Sequence, residues 1–345
     1  MKKLIALMLA VLMVMGMAAC AAKEETVTET TDVVEEVVEE TEEVTEEAEE
    51  TEEAASYVVG ICQLVPHVAL DAATQGFKDA LEAALPGQVT FQEGVAAGDS
   101  ATCTPIVTDF VAADVDLIMA NATPALQSAA AATADIPILG TSVTEYGVAL
   151  SIENFDGLVG GNISGTSDLA PLDEQAAMIT EWFPEAKTVG LLYCSAEANS
   201  QYQVDVVKAE LEGKGLTAEL YPFSDSNDLA QVATAACQFA DVIYVPTDNT
   251  GASATGTIDG IARPAGVPII AGEEGICAGC GVATLSISYY DLGYGTGLMA
   301  CKILTGEADI STMPIEYAPQ FTKKYNAEIA AELNVTIPDD YVVIE

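Results

Sequence analysis

The 345 residues carry 54 acidic and 11 basic side chains, a net charge of −43, and half of them are hydrophobic. Such a surface repels phosphate backbones, which excludes nucleic acid as a partner. The apolar half is enough for about two domains' worth of core, and the charge bears on solubility rather than on fold.

At the start of the chain, Lys2 and Lys3 precede an apolar run from Leu4 to Met15, too short to span a bilayer as a stable helix. Met17-Ala18-Ala19-Cys20 follows and resembles a bacterial lipobox, with Met17 where Leu is usual. Residues 1–19 are therefore expected to be a lipoprotein signal peptide, cleaved before a lipidated Cys20 that tethers the protein to the membrane. Residues 24–53 contain 16 acidic residues and no basic one. Like-charge repulsion and few large apolar groups argue for a disordered acidic tether over 20–55. Without residues 1–53, which hold 3 basic residues and those 16 acidic ones, the chain keeps a net charge of −30.

Beyond the tether the chain repeats itself. Tyr57-Val58-Val59-Gly60-Ile61-Cys62 predicts a strand, then a loop and a helix through Phe77, Ala80, Leu81 and Ala84. Asp116 to Thr123 predicts a second buried strand, and Ile136-Pro137-Ile138-Leu139-Gly140 a third. Thr188-Val189-Gly190-Leu191-Leu192-Tyr193, Asp241 to Asp248, and Val267-Pro268-Ile269-Ile270-Ala271-Gly272 repeat that order. Gly60 to Pro137 is 77 positions and Gly190 to Pro268 is 78. Continuous apolar strands alternating with helices imply parallel sheets covered on both faces. The expected fold is α/β, two doubly wound parallel-sheet lobes joined by a hinge, with a ligand cleft beyond the carboxyl ends of the strands.

The candidate site residues occupy the loops that follow those strands. Gln63 and His67 lie in the first, Thr123 in the middle one, and Thr141 and Ser142 in the third, with Tyr146 just beyond. Each polar residue can contact a ligand or merely cap its helix; Tyr146 can stack on an aromatic ligand or line the hinge. In the second repeat, Glu197-Ala198-Asn199-Ser200 opens a helix, whose unpaired amides suit a carboxylate. Asp248 and Asn249 end the central strand, where a carboxylate can pair with an ammonium group or bond its own turn. Glu273 is a second candidate for the ammonium. Seven cysteines besides Cys20 form an odd set in apolar surroundings, read as mostly free, buried thiols. Cys277 and Cys280 sit in a Gly-rich connection without a second close pair to complete a zinc site. Gly293, Gly295 and Gly297 lack the Lys-Ser/Thr of a phosphate loop and read as close-packing positions. Catalytic residues, metals and cofactors are not expected.

The chain resembles the bacterial ABC-transporter substrate-binding lipoproteins that include tryptophan- and tyrosine-binding members. The resemblance rests on Gln63-Leu64-Val65-Pro66-His67 with Leu70-Asp71, Ala122-Thr123-Pro124-Ala125, Gly161-Asn162-Ile163-Ser164-Gly165-Thr166-Ser167-Asp168, Glu197-Ala198-Asn199-Ser200, Val245-Pro246-Thr247-Asp248-Asn249 and Tyr289-Tyr290-Asp291-Leu292-Gly293. It departs at Glu145, where the family more often has Asp, and at Glu274 to Cys280. It implies a type I periplasmic-binding fold with three crossings between lobes, one made by residues 56–168 plus about 288–312, the other by 169–287 plus about 313–345. It also implies an extracytoplasmic monomer that binds a small molecule, favouring an aromatic amino acid, and serves an ABC permease and ATPase. A sugar, a nucleoside or another polar solute remains an alternative ligand, as does a sensory lipoprotein or a two-lobed enzyme as an alternative role.

Overall fold

The computed structural model describes residues 56–344; the expected signal peptide, Cys20 and acidic tether lie outside them. The first lobe opens with β1 (Tyr57–Gln63), α1 (Val68–Ala84), β2 (Val89–Val95), α2 (Ser100–Ala112), β3 (Leu117–Asn121), α3 (Thr123–Ala132), β4 (Ile138–Val143), α4 (Tyr146–Leu150) and β5 (Ile163–Ser167). The second contains α5 (Leu172–Trp182), β6 (Thr188–Cys194), α6 (Ala198–Gly213), β7 (Thr217–Phe223), α7 (Leu229–Phe239), β8 (Val242–Val245), α8 (Asn249–Ser253), α9 (Thr255–Ala265), β9 (Ile269–Ala271), α10 (Glu274–Cys280) and β10 (Ala283–Ser286). The chain then returns to the first lobe through α11 (Tyr289–Leu304) and β11 (Glu316–Tyr317). It ends in the second with β12 (Thr322–Tyr325), α12 (Ala327–Glu332) and β13 (Val342–Val343).

The repeat seen in the sequence becomes a repeat in topology. One sheet runs β11-β5-β4-β3-β1-β2, the other β13-β12-β10-β9-β8-β6-β7. Within them β2-β1-β3-β4-β5 and β7-β6-β8-β9-β10 have the same order, and only β12 against β10 is antiparallel. Central strands such as β3 and β8 are buried along their whole length, which explains why they read as unbroken apolar runs. Each sheet separates two apolar layers, one around Ile118 and Phe110 and the other around Phe77 and Leu117 in the first lobe. The chain changes lobe at residues 168–171, 287–288 and 318–321. Because β11 pairs with β5, the last change comes after residue 317 rather than near 313.

Helix α1 shows how the sequence enforces this layering. Its Leu70, Ala73, Phe77, Ala80 and Leu81 recur at helical spacing and are all buried. It lies against α11 so closely that a methyl group on Gly293 would sit 1.9 Å from the carbonyl oxygen of Ala73. One on Gly76 would sit 2.1 Å from that of Tyr290. Gly293 and Gly297 are thus contact positions, whereas Gly295 has open space around it. Cys277 and Cys280 lie on α10, started by Glu273, rather than in an irregular connection, and both are buried free thiols. Among the described residues, no helix is long and apolar enough to cross a membrane.

Candidate functional site

The carboxyl ends of both sets of strands face one interlobe cleft, and that cleft is closed. His67, at the start of α1, lies 3.3 Å through Nε2 from Oδ1 of Asn249 in the other lobe. The Asn249 amide donates to the Glu197 carboxylate at 2.6 Å, which turns its oxygen toward His67 and makes the ring nitrogen the donor. Helices α4 and α6, and α1 and α10, also pack across the divide. Cavities at the seam include one of 230 Å³ bounded by His67, Ser253 and Glu273, one of 110 Å³ bounded by Leu64, Cys194 and Glu197, and an open one of 520 Å³ between Glu145 and Tyr202.

In the first lobe the strand ends carry unpaired hydroxyls on a strained backbone. Ala122 adopts φ 94° immediately before Thr123, and Ser142 adopts φ 53° where the β4–β5 register shifts. Positive φ is costly for residues with a Cβ and persists where the surroundings demand it, commonly at binding sites. Asn121 pairs with Thr141 across β3 and β4, which places Thr123 and Ser142 on neighbouring strand ends. Both hydroxyls are buried and neither has a hydrogen-bond partner. Helix α3 begins at Thr123 without a side-chain cap, and Pro124 in its first turn has no amide to satisfy.

Other predicted residues of this lobe support rather than line the cleft. Gln63 donates to Val65 O at 3.0 Å and Asp71 Oδ1 at 2.7 Å, and accepts from Thr74, which pins the first loop to α1. Thr141 belongs to a ring of hydroxyls with Thr166 at 3.2 Å and Thr296 at 3.1 Å. Tyr146 does not offer a stacking face. Its hydroxyl donates to Thr166 O at 3.0 Å and occupies the space over Gly140 and Gly165, where any Cβ would collide with it.

The second lobe presents carboxylates, and backbone amides already hold them. Glu197 accepts from Asn249 N and Thr250 N, and from both side chains. Asp248 accepts from Cys194 N at 2.6 Å and Gly251 N at 2.7 Å, joining the β6–α6 loop to the start of α8. Glu273 accepts from Gly275 N and Ile276 N at the start of α10. Each oxygen of Asp248 and Glu273 thus receives one N–H, which is the turn-bonding role the sequence left open for Asp248, and each keeps a second lone pair. Burial pushes Asp248 up to about 7, with the Glu197 charge adding to it, and burial likewise pushes Glu273 up to about 7. Ser200 lies beside Asn199, whose amide donates to Thr247 O at 3.0 Å and whose Oδ1 is buried without a partner.

The chain's first departure from the first lobe adds a residue that the loop-by-loop reading passed over. Asp168 directly follows β5 and is 4% exposed. Its Oδ2 accepts from the Tyr289 hydroxyl at 3.0 Å, and its Oδ1 accepts from nothing. Burial raises its pKa, while the nearby Tyr289 and Thr144 hydroxyls hold it back. Since Val143 pairs with Ser167, Asp168 stands one strand from Ser142 and two from Thr123. A lone carboxylate at the carboxyl end of the fifth strand was the available signal. Five polar atoms, from Asn121, Thr123, Ser142, Asp168 and Asn199, are therefore buried at or just beyond the strand ends without a partner.

Comparison with known proteins agrees with this fold. The family model described as ABC transporter substrate binding protein matches residues 58–344. A tyrosine-binding protein of Clostridioides difficile strain R20291 is 36% identical over 265 residues, covering 74% of this chain and 75% of that protein. The crystal structure of the ABC domain in complex with L-Trp from Streptococcus pneumonia superposes with a TM-score of 0.79 at 32% identity, covering 84% of this chain and all of that one. The ligand-free, open structure of a substrate-binding protein with adhesive properties from Clostridium difficile gives 0.64 at 34% identity, covering 84% of this chain and 99% of that one.

Proposed function

Starting from the fact that the chain belongs to the ABC transporter substrate binding protein family, we propose that it is the extracytoplasmic component of an importer and encloses an aromatic amino acid between its lobes. The observation that carries this reading is the set of five unpaired polar atoms buried at or just beyond the strand ends. A buried polar group without a partner costs free energy, and a zwitterionic ligand supplies both donors and acceptors. The structural likeness points the same way. At nearly equal identity, the chain superposes better on the L-Trp complex than on the ligand-free, open relative. Calorimetry of the purified protein against L-tryptophan, L-tyrosine, aliphatic amino acids and sugars tests the reading. Saturable binding of an aromatic amino acid, released chemically unchanged, is expected; binding restricted to sugars would overturn it.

In this role the mechanism is hinge closure. An open protein wets the polar strand ends; a ligand replaces that water and lets the lobes meet at His67 and Asn249. The expected partners are an ABC permease and ATPase, with the protein acting as a monomer held at the membrane through a lipid on Cys20. Cys20→Ser should abolish the lipid mass shift and free the protein from the membrane fraction. Retention of both would refute the anchor.

A further inference from the structure

Several thiols of the chain bond to backbone carbonyls: Cys194 donates to Ser224 O at 3.6 Å, Cys280 to Ile276 O at 3.3 Å and Cys301 to Ala80 O at 4.0 Å. Cys62 and Cys103 meet each other instead. Both are wholly buried in one core cluster, and the Cys62 S–H donates to the Cys103 sulfur. The packing accounts for the contact. Cys103, Val107 and Phe110 form the buried face of α2, while Gly60 and Cys62, two positions apart, point to one face of β1. Phe110 rests on Gly60, where a methyl group would lie 2.6 Å from its ring. Cys103, two helical turns earlier, therefore lies over Cys62.

We propose that Cys62 and Cys103 are a disulfide-forming pair, oxidised by small disulfides, and that the bond staples the end of β1 to the start of α2 and stiffens the loops beyond them. The site stands apart from the reading of the cleft. Just past the sulfurs, Ala96 N donates to Gln63 O at 2.9 Å and Gly98 N to Leu64 O at 2.8 Å, so the staple reinforces loops that already touch. Leu64, Gly98 and Ser100 of these loops wall the 110 Å³ cavity at the seam. The way in is the first turn of α2. Pro105 has no N–H for the carbonyl of Ala101, and Ser100 and Ala101 are exposed, so this turn opens more readily than the rest of the helix. The bond from Cys62 holds the Cys103 thiol below its ordinary value against the opposing effect of burial, which makes Cys103 the first nucleophile. Its thiolate attacks one sulfur of a small disulfide such as oxidised glutathione, and the other sulfur leaves as a thiolate. The Cys62 thiolate then displaces the second glutathione from Cys103. The protons of both cysteines end on the departing thiolates, so two protein thiols become one disulfide and the oxidant becomes two thiols.

The test treats the natively folded, ligand-free protein with oxidised glutathione, then unfolds it and alkylates the remaining thiols. The product should carry two fewer alkylated thiols than protein kept in dithiothreitol. Trypsin leaves Cys62 in a peptide of residues 24–78 and Cys103 in one of 79–187, each without another cysteine, and mass spectrometry should find these two joined. The bond closes a loop of 41 positions and should raise the melting temperature by roughly 5 °C, reversed by dithiothreitol. Hydrogen exchange at the Ala96 and Gly98 amides should slow in the oxidised protein. Cys103→Ser and Cys62→Ala should each abolish both the joined peptides and the rise in melting temperature. Four results on the wild-type protein overturn the staple without needing any variant to fold: full alkylation of both cysteines after oxidation, a glutathione adduct that never resolves, another cysteine in place of either partner, or a crosslinked product that melts no higher.

Discussion

The two lobes share one strand order yet use their strand ends in opposite ways. In the first, His67 and Ala122 precede α1 and α3 without capping them, the backbone is strained at Ala122 and Ser142, and hydroxyls are left unpaired. In the second, Asp248 and Glu273 cap α8 and α10, and Glu197 bonds the start of α8 from across a loop. One half leaves hydroxyls unpaired at its strand ends; the other engages its carboxylates with backbone amides, although the Asn199 amide oxygen stays unpaired there. On the proposed reading, a duplicated architecture divides its labour, with more of the affinity in one copy and more of the rigidity in the other.

The sharpest way to break this contrast is to exchange the expected consequences of mutation. Asp248→Ala orphans the amides of Cys194 and Gly251 in a buried place, and should destabilise the ligand-free protein by about 2–4 kcal/mol in a denaturant titration. Thr123→Val removes a hydroxyl that hydrogen-bonds to nothing in the chain. Ligand affinity should fall about tenfold while the unfolding midpoint of the free protein stays level or rises. If Thr123→Val unfolded the protein as Asp248→Ala does, the division would not exist. Ser142→Gly sharpens the point further: glycine relaxes the positive φ, so stability should rise by about 1 kcal/mol as affinity drops.

Acidity provides a smaller test that needs no mutation. Asp168, Asp248 and Glu273 have raised values in the fold, those of Asp248 and Glu273 up to about 7, so the folded chain holds protons that the unfolded chain releases above about pH 4. Stability contributed by these groups is present at low pH and lost as pH rises through 7. His67 has the opposite sign, since burial lowers its value and its contribution disappears as pH falls below about 6.5. Three acids against one histidine predict that the ligand-free protein melts higher at pH 5.5 than at pH 8. His67→Ala should steepen that trend and, by removing the contact with Asn249, should speed ligand release roughly threefold in stopped flow.

Much of this architecture was legible in the sequence, because strand order follows from buried apolar runs and from the near-equal spacing of two copies. The lobes' common topology and the family membership followed directly from that pattern and its motifs. The site was legible only as a set of loops. Asp248 and Glu273 have the same chemistry as Asp168, and which of the three keeps a free oxygen depends on where neighbouring amides point after folding. Asp248 with Gly251 three positions on is also a capping pattern; that local role takes Oδ1, and the distant Cys194 amide takes Oδ2. Tyr146 was equally ambiguous, since only the paired Gly140 and Gly165 reveal that its ring fills a hollow in the sheet. Nothing in the letters around Ser142 signals a bulge, because the register shift is a property of two strands together.

The near contact of α1 with α11 has a mechanical consequence. Glycines at 76, 293 and 297 let two helix backbones touch, leaving no soft side chains between them to shear. The segment that re-enters the first lobe is thereby bolted down from its first turn, and the freedom of the second connection is confined to Ile287 and Ser288. Rotation of one lobe on the other is a movement about a short axle in a stiff bearing. Widening that bearing with Gly293→Ala would tilt the axle and misalign the far lips of the cleft, without touching any residue that meets the ligand.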